Sequence, residues 1–338
     1  MQGKFDIELL RRLCLTDGVS GFEDDVRELI ANEINEYCDD LYSDALGNLI
    51  GVRYGKCRDK KIMLCAHMDE VGFCIKHVND DGTLLFDAVG MSASVMPSKR
   101  VKIGKDSIPG VIGCAPVHLS TAKTDLKISD LYIDVGAKDR KDAEALFGQY
   151  AVFDSDFCLF GNGFVKAKAL DDRIGCTIMC MLAKEKPEYD TYFVFTVGEE
   201  VGGVGAAAAT VRINPDICLI LEGTTASDIH GNSGADKVCC VGSGPVCPYM
   251  DGGTLYDKEL YSFIMNLASK NKVPCQTKAR VAGGTDAARV QKSSAGVKVA
   301  AISLPCRYIH TSASVASVDD MENMYRLTSI AVAKIAEI

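Results

Sequence analysis

The chain has 338 residues, 47% of them hydrophobic, and a formal charge of −9. That length suits two domains, or one large domain with an insertion, and the apolar content suffices for a real core. The acidic balance speaks against nucleic acid as a partner, which needs basic surface, and no run approaches the roughly 18 uninterrupted apolar residues of a membrane span. The opening MQGKFDIELLRRLCL mixes charges into a helical pattern. It lacks the apolar stretch and small-residue cleavage site of an export signal, so a cytoplasmic protein is expected. Most of the 15 cysteines sit in apolar runs such as IMLCAH and DICLIL, and none forms a CxxC pair. They read as small core residues in a reducing compartment, not as disulfides or a zinc ribbon.

Apolar residues from Phe5 to Leu15 recur at helical spacing, and a second helical stripe follows Ser20 and Gly21. DLYSDALGNLIGVRYG alternates and turns at Gly47-Asn48, predicting a hairpin, and KKIMLCAHMDEVGF predicts a buried strand running into a polar loop. From about residue 73 to 160 short alternating stretches are broken by glycine, with one helical piece near DRKDAEALFG. ALDDRIGCTIMCMLAKE, YFVFTVGEE, GAAAATVRI and ICLILEG then alternate helix and strand. The pattern predicts one α/β domain, residues 1–72 and 161–338, interrupted by a β-rich unit at 73–160.

Polar residues cluster where apolar strands end or helices begin. CAHMDE supplies His67 and Asp69, ALDDR supplies Asp171 and Asp172, TVGEEVGG supplies Glu199 and Glu200, ILEGTTASD supplies Glu222 and Asp228, and LPCRYIHTSAS supplies His310. In open α/β sheets, ligands bind beyond the carboxyl ends of the strands, so these side chains can converge. Converging acids repel and lose hydration, and something positive must hold them. Two imidazoles with several carboxylates fit divalent zinc, cobalt or manganese. A pair of metals, roughly 3.5–4 Å apart, needs a bridging carboxylate, terminal ligands and a base for the attacking water. Where the strand breaks at Gly198 and Gly202, Glu199 and Glu200 can turn to one site and divide into a base and a ligand. Each piece also has a plainer reading alone: a structural histidine, an N-cap with an Asp172–Arg173 ion pair, a solvated turn.

AHMDEVGF, ALDDRIG, TVGEEVGGVGA, LEGTTASD, GGTDA and RYIHTSAS, in this order, resemble the glutamyl and tetrahedral aminopeptidase family. GVIGCAPVHL and LYIDVGA resemble its insertion, and the motifs span nearly the whole chain. The resemblance implies a mixed-sheet α/β/α di-metal exopeptidase domain with a small β-rich, PDZ-like insertion for oligomerisation, often into dodecamers. It implies that His67 and Glu222 bind one metal, that Asp171 bridges, and that Glu200 and His310 complete the second metal. Glu199 would be the general base, and Asp69 would orient the His67 imidazole. Many relatives carry aspartate at the position of Glu222. The substrates implied are short peptides losing their N-terminal residue, and the metals are two ions of zinc or cobalt, or manganese. GGTDA, at 283–287, either lines the substrate pocket or forms a capped glycine turn. His118 is assigned to the insertion or a subunit contact. An acidic specificity would need a basic group in the pocket, with Arg280 and Arg307 as the candidates.

Two other readings stay open at this point. Another di-metal amidohydrolase, such as an N-acyl-amino-acid deacylase, would use the same residues. A non-catalytic nucleotide-binding module would read GGVGAA as a phosphate loop, although Glu199 and Glu200 would repel phosphate and a Walker lysine is absent.

Overall fold

The structure, a computed structural model, describes residues 4–116, 118 and 126–338. Helices α1 (Ile7–Leu15) and α2 (Asp24–Ile34) open the chain, followed by strands β1 (Asp40–Ser43), β2 (Leu49–Arg53) and β3 (Cys57–His67). Next come β4 (Gly72–Val78), β5 (Leu84–Val89), β6 (Arg100–Ile103), β7 (Ile108–Gly113), β8 (Tyr132–Asp134), α3 (Arg140–Ala143) and β9 (Tyr150–Phe153). The remainder runs through β10 (Cys158–Phe160), β11 (Phe164–Ala167), α4 (Leu170–Ala183), β12 (Tyr189–Thr196), α5 (Val204–Ile213) and β13 (Ile217–Thr225). It closes with α6 (Lys258–Lys270), α7 (Ala287–Val290), β14 (Lys298–Cys306), β15 (Ser314–Ser317) and α8 (Val318–Val332).

The central sheet has the order β1-β2-β12-β3-β13-β14. Strands β12, β3, β13 and β14 are parallel, and β1 and β2 close one edge antiparallel. Parallel strands covered on both faces need apolar residues at successive positions, which is why IMLCAH and ICLIL show no alternation. Successive side chains nevertheless go to opposite cores. Ile62, Leu64 and Ala66 pack with residues of α1, α2, α4 and α8, whereas Met63 and Cys65 pack with Ala206 and Ala209 of α5 and Ala287 and Val290 of α7. The result is the α/β/α mixed-sheet architecture that the family resemblance implies. Strand β3 begins earlier than its apolar run, at Cys57, because β12 pairs with it there across a register shift while the CRDKK side chains stay largely in water.

Strands β4-β5-β8-β7-β6-β9 close into a barrel. Its centre is Phe73, which meets Phe86 and Phe153 edge-on at 5.1 and 5.2 Å. Edge-to-face pairs of this kind add about 0.5–1.5 kcal/mol each beyond the area they bury. His118 is exposed, and Val117 and residues 119–125 of the stretch around it lie outside the described residues. A further small sheet, β10-β11-β15, was not legible in the sequence; it pairs Ala167 with Ser314 antiparallel and so joins the start of α4 to the loop before α8.

Candidate metal centre

Sheet geometry builds one half of the site. Strands β13 and β3 are parallel neighbours, with Ile220 opposite Cys65 at the end of their pairing. Two residues further on, on the same face by strand parity, stand Glu222 and His67. Their side chains meet, His67 Nε2 to Glu222 Oε1, at 3.1 Å. The other ring nitrogen, Nδ1, donates to the Asp69 carbonyl at 3.0 Å and faces the Asp69 carboxylate at 3.4 Å. With Nδ1 so engaged, Nε2 is the nitrogen that could hold a metal.

The small sheet builds the other half. In the antiparallel register that pairs Ala167 with Ser314, four residues beyond Ala167 and four before Ser314 bring Asp171 opposite His310. His310 Nε2 lies 3.3 Å from Asp171 Oδ2 and 3.4 Å from Glu200 Oε1. Its Nδ1 donates to the Gly90 carbonyl at 2.7 Å, repeating the logic of His67. Asp171 thus turns one oxygen to each half, since its Oδ1 is 3.5 Å from His67 Nε2.

The two adjacent glutamates sit in a turn after β12 that Asp69 holds. The Asp69 carboxylate accepts the backbone N–H groups of both Glu199 and Glu200 at 3.1 Å, and the Ser20 hydroxyl at 2.6 Å. Asn48 Oδ1 accepts Val197 N–H at 3.0 Å, and the Glu23 carboxylate accepts Gly198 N–H at 3.3 Å. Gly198 and Gly202 both have positive φ, which lets the chain reverse within four residues. Glu200 then points at His310. The Glu199 carboxylate makes no hydrogen bond to any described residue and lines two adjoining cavities.

Burial, reinforced by neighbouring carboxylates, pushes Glu199 up to about 7 and Glu200 up to about 8. Burial likewise pushes Asp172 and Glu222 well above the usual carboxylate range. Burial opposes charge on the imidazoles, yet Glu222 and Asp171 raise His67 well above its ordinary value, and Asp171 and Glu200 raise His310 to about 9. Asp171 goes the other way: burial would raise it, but the hydrogen bonds of His310 and His67 hold it well below its ordinary value. Divalent cations could take the place of the protons that these shifts imply. Ligand atoms of His67, Asp171 and Glu200 lie within 4.8 Å of one another, as do those of Asp171, Asp172 and Glu222. Glu200 Oε1 and Asp172 Oδ2 are buried without a hydrogen bond, a state that calls for a positive partner. Imidazole nitrogen and carboxylate oxygen are the donors that divalent zinc, cobalt and manganese take. The residues present fit such metals.

Comparison with known proteins shows the family. The family model described as M42 glutamyl aminopeptidase matches residues 47–327. The chain belongs to this family. It is 31% identical to the lysyl aminopeptidase of Pyrococcus furiosus, over 95% of both chains. An aminopeptidase from the archaeon Desulfurococcus kamchatkensis superposes with a TM-score of 0.93 at 33% identity, covering 97% of this chain and 94% of that one. The TET1 peptidase of Pyrococcus horikoshii, which can assemble into a tetrahedron or a large octahedral shell, superposes with a TM-score of 0.85 at 31% identity, covering 96% and 98%. The protein is an aminopeptidase of the M42 family, and its fold is that of these peptidases.

In this aminopeptidase several residues lie elsewhere than the sequence placed them. Asp172 and Arg173 do not pair at a helix start. Arg173 is fully buried and donates to the carbonyls of Leu13, Thr16 and Met68, with Glu70 at 3.5 Å. Asp172 caps Gly175 N–H at 2.9 Å with one oxygen and keeps the other beside the inner half of the site. Asp228 is taken by Arg307 in a bidentate pair at 2.8 and 2.7 Å, and Arg280 pairs with Asp236 on the surface. Neither arginine lines the cavity, whose basic residues are Lys278 and His310. The GGTDA segment does both things expected of it: Gly283, Gly284 and Thr285 line the cavity, and Thr285 Oγ1 caps Ala287 N–H at 3.2 Å. Sequence reasoning missed the contribution of the barrel, whose Gly90, Ser92 and Val95 form one wall. Gly90 has φ +70°, and a Cβ there would stand 2.4 Å from Glu200 Oε2, so glycine is the residue that fits.

Proposed function

We propose that the protein is a di-metal aminopeptidase that removes N-terminal residues from short peptides. His67, Glu222 and Asp171 would hold the first metal, and His310, Glu200 and Asp171 would hold the second. The observation that carries this reading is the division of Asp171, with Oδ1 toward His67 and Oδ2 toward His310. Zinc or cobalt suits the donor set best, and manganese is acceptable to it. Two such cations supply Lewis acidity at the scissile carbonyl and acidify the attacking water. Glu199 takes the proton of that water and delivers it to the leaving amine, a role suited to a carboxylate that is unengaged and poised near neutrality. Asp69 fixes both glutamates and the His67 ring. The carboxylate-rich wall receives the free α-amine, which restricts cutting to the first residue.

We also assign assembly to the unit at 73–160, with residues 1–72 and 161–338 as the catalytic domain. Support comes from the assembly of the TET1 peptidase and from the exposed Val111 and Phe147 on the barrel. A homo-oligomer, a dodecamer in the fullest form, would enclose the sites and admit peptides but not folded proteins. All fifteen cysteines are free thiols, in keeping with a cytoplasmic location.

The test is turnover of aminoacyl-p-nitroanilides by metal-stripped protein, repeated with zinc, cobalt or manganese. Metal-restored cleavage that N-acetylation of the substrate abolishes is the expected result. Cleavage of only the N-acylated substrates would make the protein a deacylase. Glu199→Gln should keep both metals and lose about 10²–10⁴ in kcat; turnover at the wild-type rate would remove Glu199 from the mechanism.

A further inference from the structure

Two cavities adjoin the proposed metal centre and share Gly90, Glu199, Gly284, Thr285 and His310. Glu199 therefore stands at their junction, the place for a group that hands a proton to a leaving amine. In the aminopeptidase reading the bond to be cut crosses this junction. The cavity of about 380 Å³ carries Asp171 and Glu222 and suits the residue with the free α-amine. The leaving residue then falls in the second cavity, of about 560 Å³. Arg289 and Lys292 line the second cavity and not the first. Arg289 lies against the glycine turn after Glu200, where its Nε donates to the Gly202 carbonyl at 2.7 Å. A Cβ on Gly203 would stand 2.8 Å from Arg289 Cγ, and one on Gly202 3.4 Å from its Nη2, so two bare glycines let the guanidinium rest on the turn. With Nε spent there, Nη1 and Nη2 have no hydrogen bond to any described residue. Asp286, three positions earlier, does not neutralise the guanidinium, because it is buried with its Oδ2 on the Thr196 hydroxyl at 2.6 Å. Glu200 faces His310 instead, and neither Arg289 nor Lys292 forms an ion pair with any described carboxylate. Both cations are exposed, so a ligand reaches them. An arginine anchored by Nε and open at both η nitrogens, beside an ammonium, is a fork for a carboxylate.

We propose that Arg289 and Lys292 bind a carboxylate on the leaving residue, either the C-terminus of a dipeptide or an acidic side chain in second position. The proposal rests on the aminopeptidase reading for its substrate, but the anion site itself does not. It concerns the second residue of the peptide and leaves the identity of the first free. A p-nitroanilide leaving group carries no carboxylate and forgoes the contact.

The experiment gives metal-loaded enzyme dipeptides that begin with leucine, glutamate or lysine, in two pairs. The first pair ends in alanine, as the free acid or the C-terminal amide; the second is amidated throughout and ends in glutamate or glutamine. Binding is read separately by calorimetry with uncleaved analogues, leucyl-alanine and its amide with the peptide carbonyl replaced by a methylene. In at least one pair the acid should exceed its neutral partner in kcat/KM by about five- to thirtyfold, between the effect of an exposed ion pair and that of a buried charged hydrogen bond. A ratio confined to the first pair assigns the C-terminal carboxylate, and one confined to the second assigns the side chain. The ratio should shrink as salt is raised. It compares two substrates of one enzyme, so a general loss of kcat from disturbing the Gly202 turn cancels. The Arg289→Gln, Lys292→Met double variant should bring it to about one, and Lys292→Glu should favour lysine in second position. Wild-type ratios near one in both pairs, or a wild-type ratio retained in the double variant, overturn the proposal and leave the aminopeptidase intact. If no peptide is cleaved, yet the acid analogue binds about fivefold tighter than its amide and the double variant removes the difference, the aminopeptidase reading fails and the anion site stands.

Discussion

The two halves of the proposed metal centre are built by different means. His67 and Glu222 stand on adjacent parallel strands and are 1% and 4% exposed. Their meeting is a consequence of strand register, and nothing in the loops is needed to produce it. His310 stands on a loop at φ +58°, with 37% of its side chain exposed, and leans on a carbonyl from the barrel. Non-glycine residues hold that backbone conformation only where their surroundings impose it. The inner half is therefore fixed by the core of the catalytic domain, whereas the outer half depends on how the barrel packs against it. If metals occupy both halves as proposed, the outer one should be lost more readily than the inner.

The sharpest way to break the comparison is to remove one imidazole from each half. His67→Ala should empty the inner half and, in the metal-free protein, leave Glu222 buried without its partner and Asp171 with His310 alone, a loss of about 3–5 kcal/mol. His310→Ala should release the outer metal, keep the inner one and cost less stability, because water reaches the gap. Metal content by mass spectrometry and thermal denaturation of the two variants decide the matter. Loss of both metals from His310→Ala would show that the halves are one cooperative unit.

How the halves differ also explains what the sequence disclosed. His67, Glu199, Glu200 and Glu222 follow strong apolar runs and Asp171 opens a helix, so their positions were legible from hydrophobic pattern, whereas His310, on a loop, was uninformative by itself. The buried sheet was legible for the same reason, because parallel strands need unbroken apolar runs. The supports were not. Ser20 reads as a helix start, and only the fold shows its hydroxyl on Asp69. Gly90 reads as one more turn glycine of the insertion, and its carbonyl meets His310 across 220 positions. Lys278 lies in QTKAR, where no periodicity marks a pocket. Long-range contacts between loops leave no periodic trace, whereas contacts between neighbouring strands do.

A second, smaller effect separates the metal-free from the loaded state. Without metals, Glu199 titrates at about 7, Glu200 at about 8 and His310 at about 9, all above their unfolded values. The folded chain thus binds more protons than the unfolded chain between about pH 5 and 9, and stability must fall as pH rises across that window. For His310 the contribution is complete below about pH 6.5 and is lost as pH passes 9. For the two glutamates the folded state is favoured while they are protonated, and that advantage is gone above about pH 8. Metals replace the protons, so the loaded protein should lack this decline. Melting temperatures measured from pH 5 to 9 with and without metal test it; a metal-free protein that gains stability with rising pH would mean that the acids are not converging as described.

The smallest effect concerns the support shared by the two halves. Asp69 touches the inner half through His67 and the outer half through the backbone of Glu200. Ser20 donates to its carboxylate at 2.6 Å. Ser20→Ala removes one of several donors, and a hydrogen bond to a charged group is worth about 1.5–3 kcal/mol at most. Two backbone amides remain on Asp69, so both metals should stay bound. The loss should fall on kcat, by about three- to tenfold, with KM little changed, because Glu199 is displaced while the substrate cavity is not. Ser20→Thr, which keeps the hydroxyl, should restore most of it. A fall in metal content instead of kcat would place Ser20 in support of the ligands; no change in either would mean that the backbone amides alone hold Asp69 and that the turn needs no help from the loop before α2.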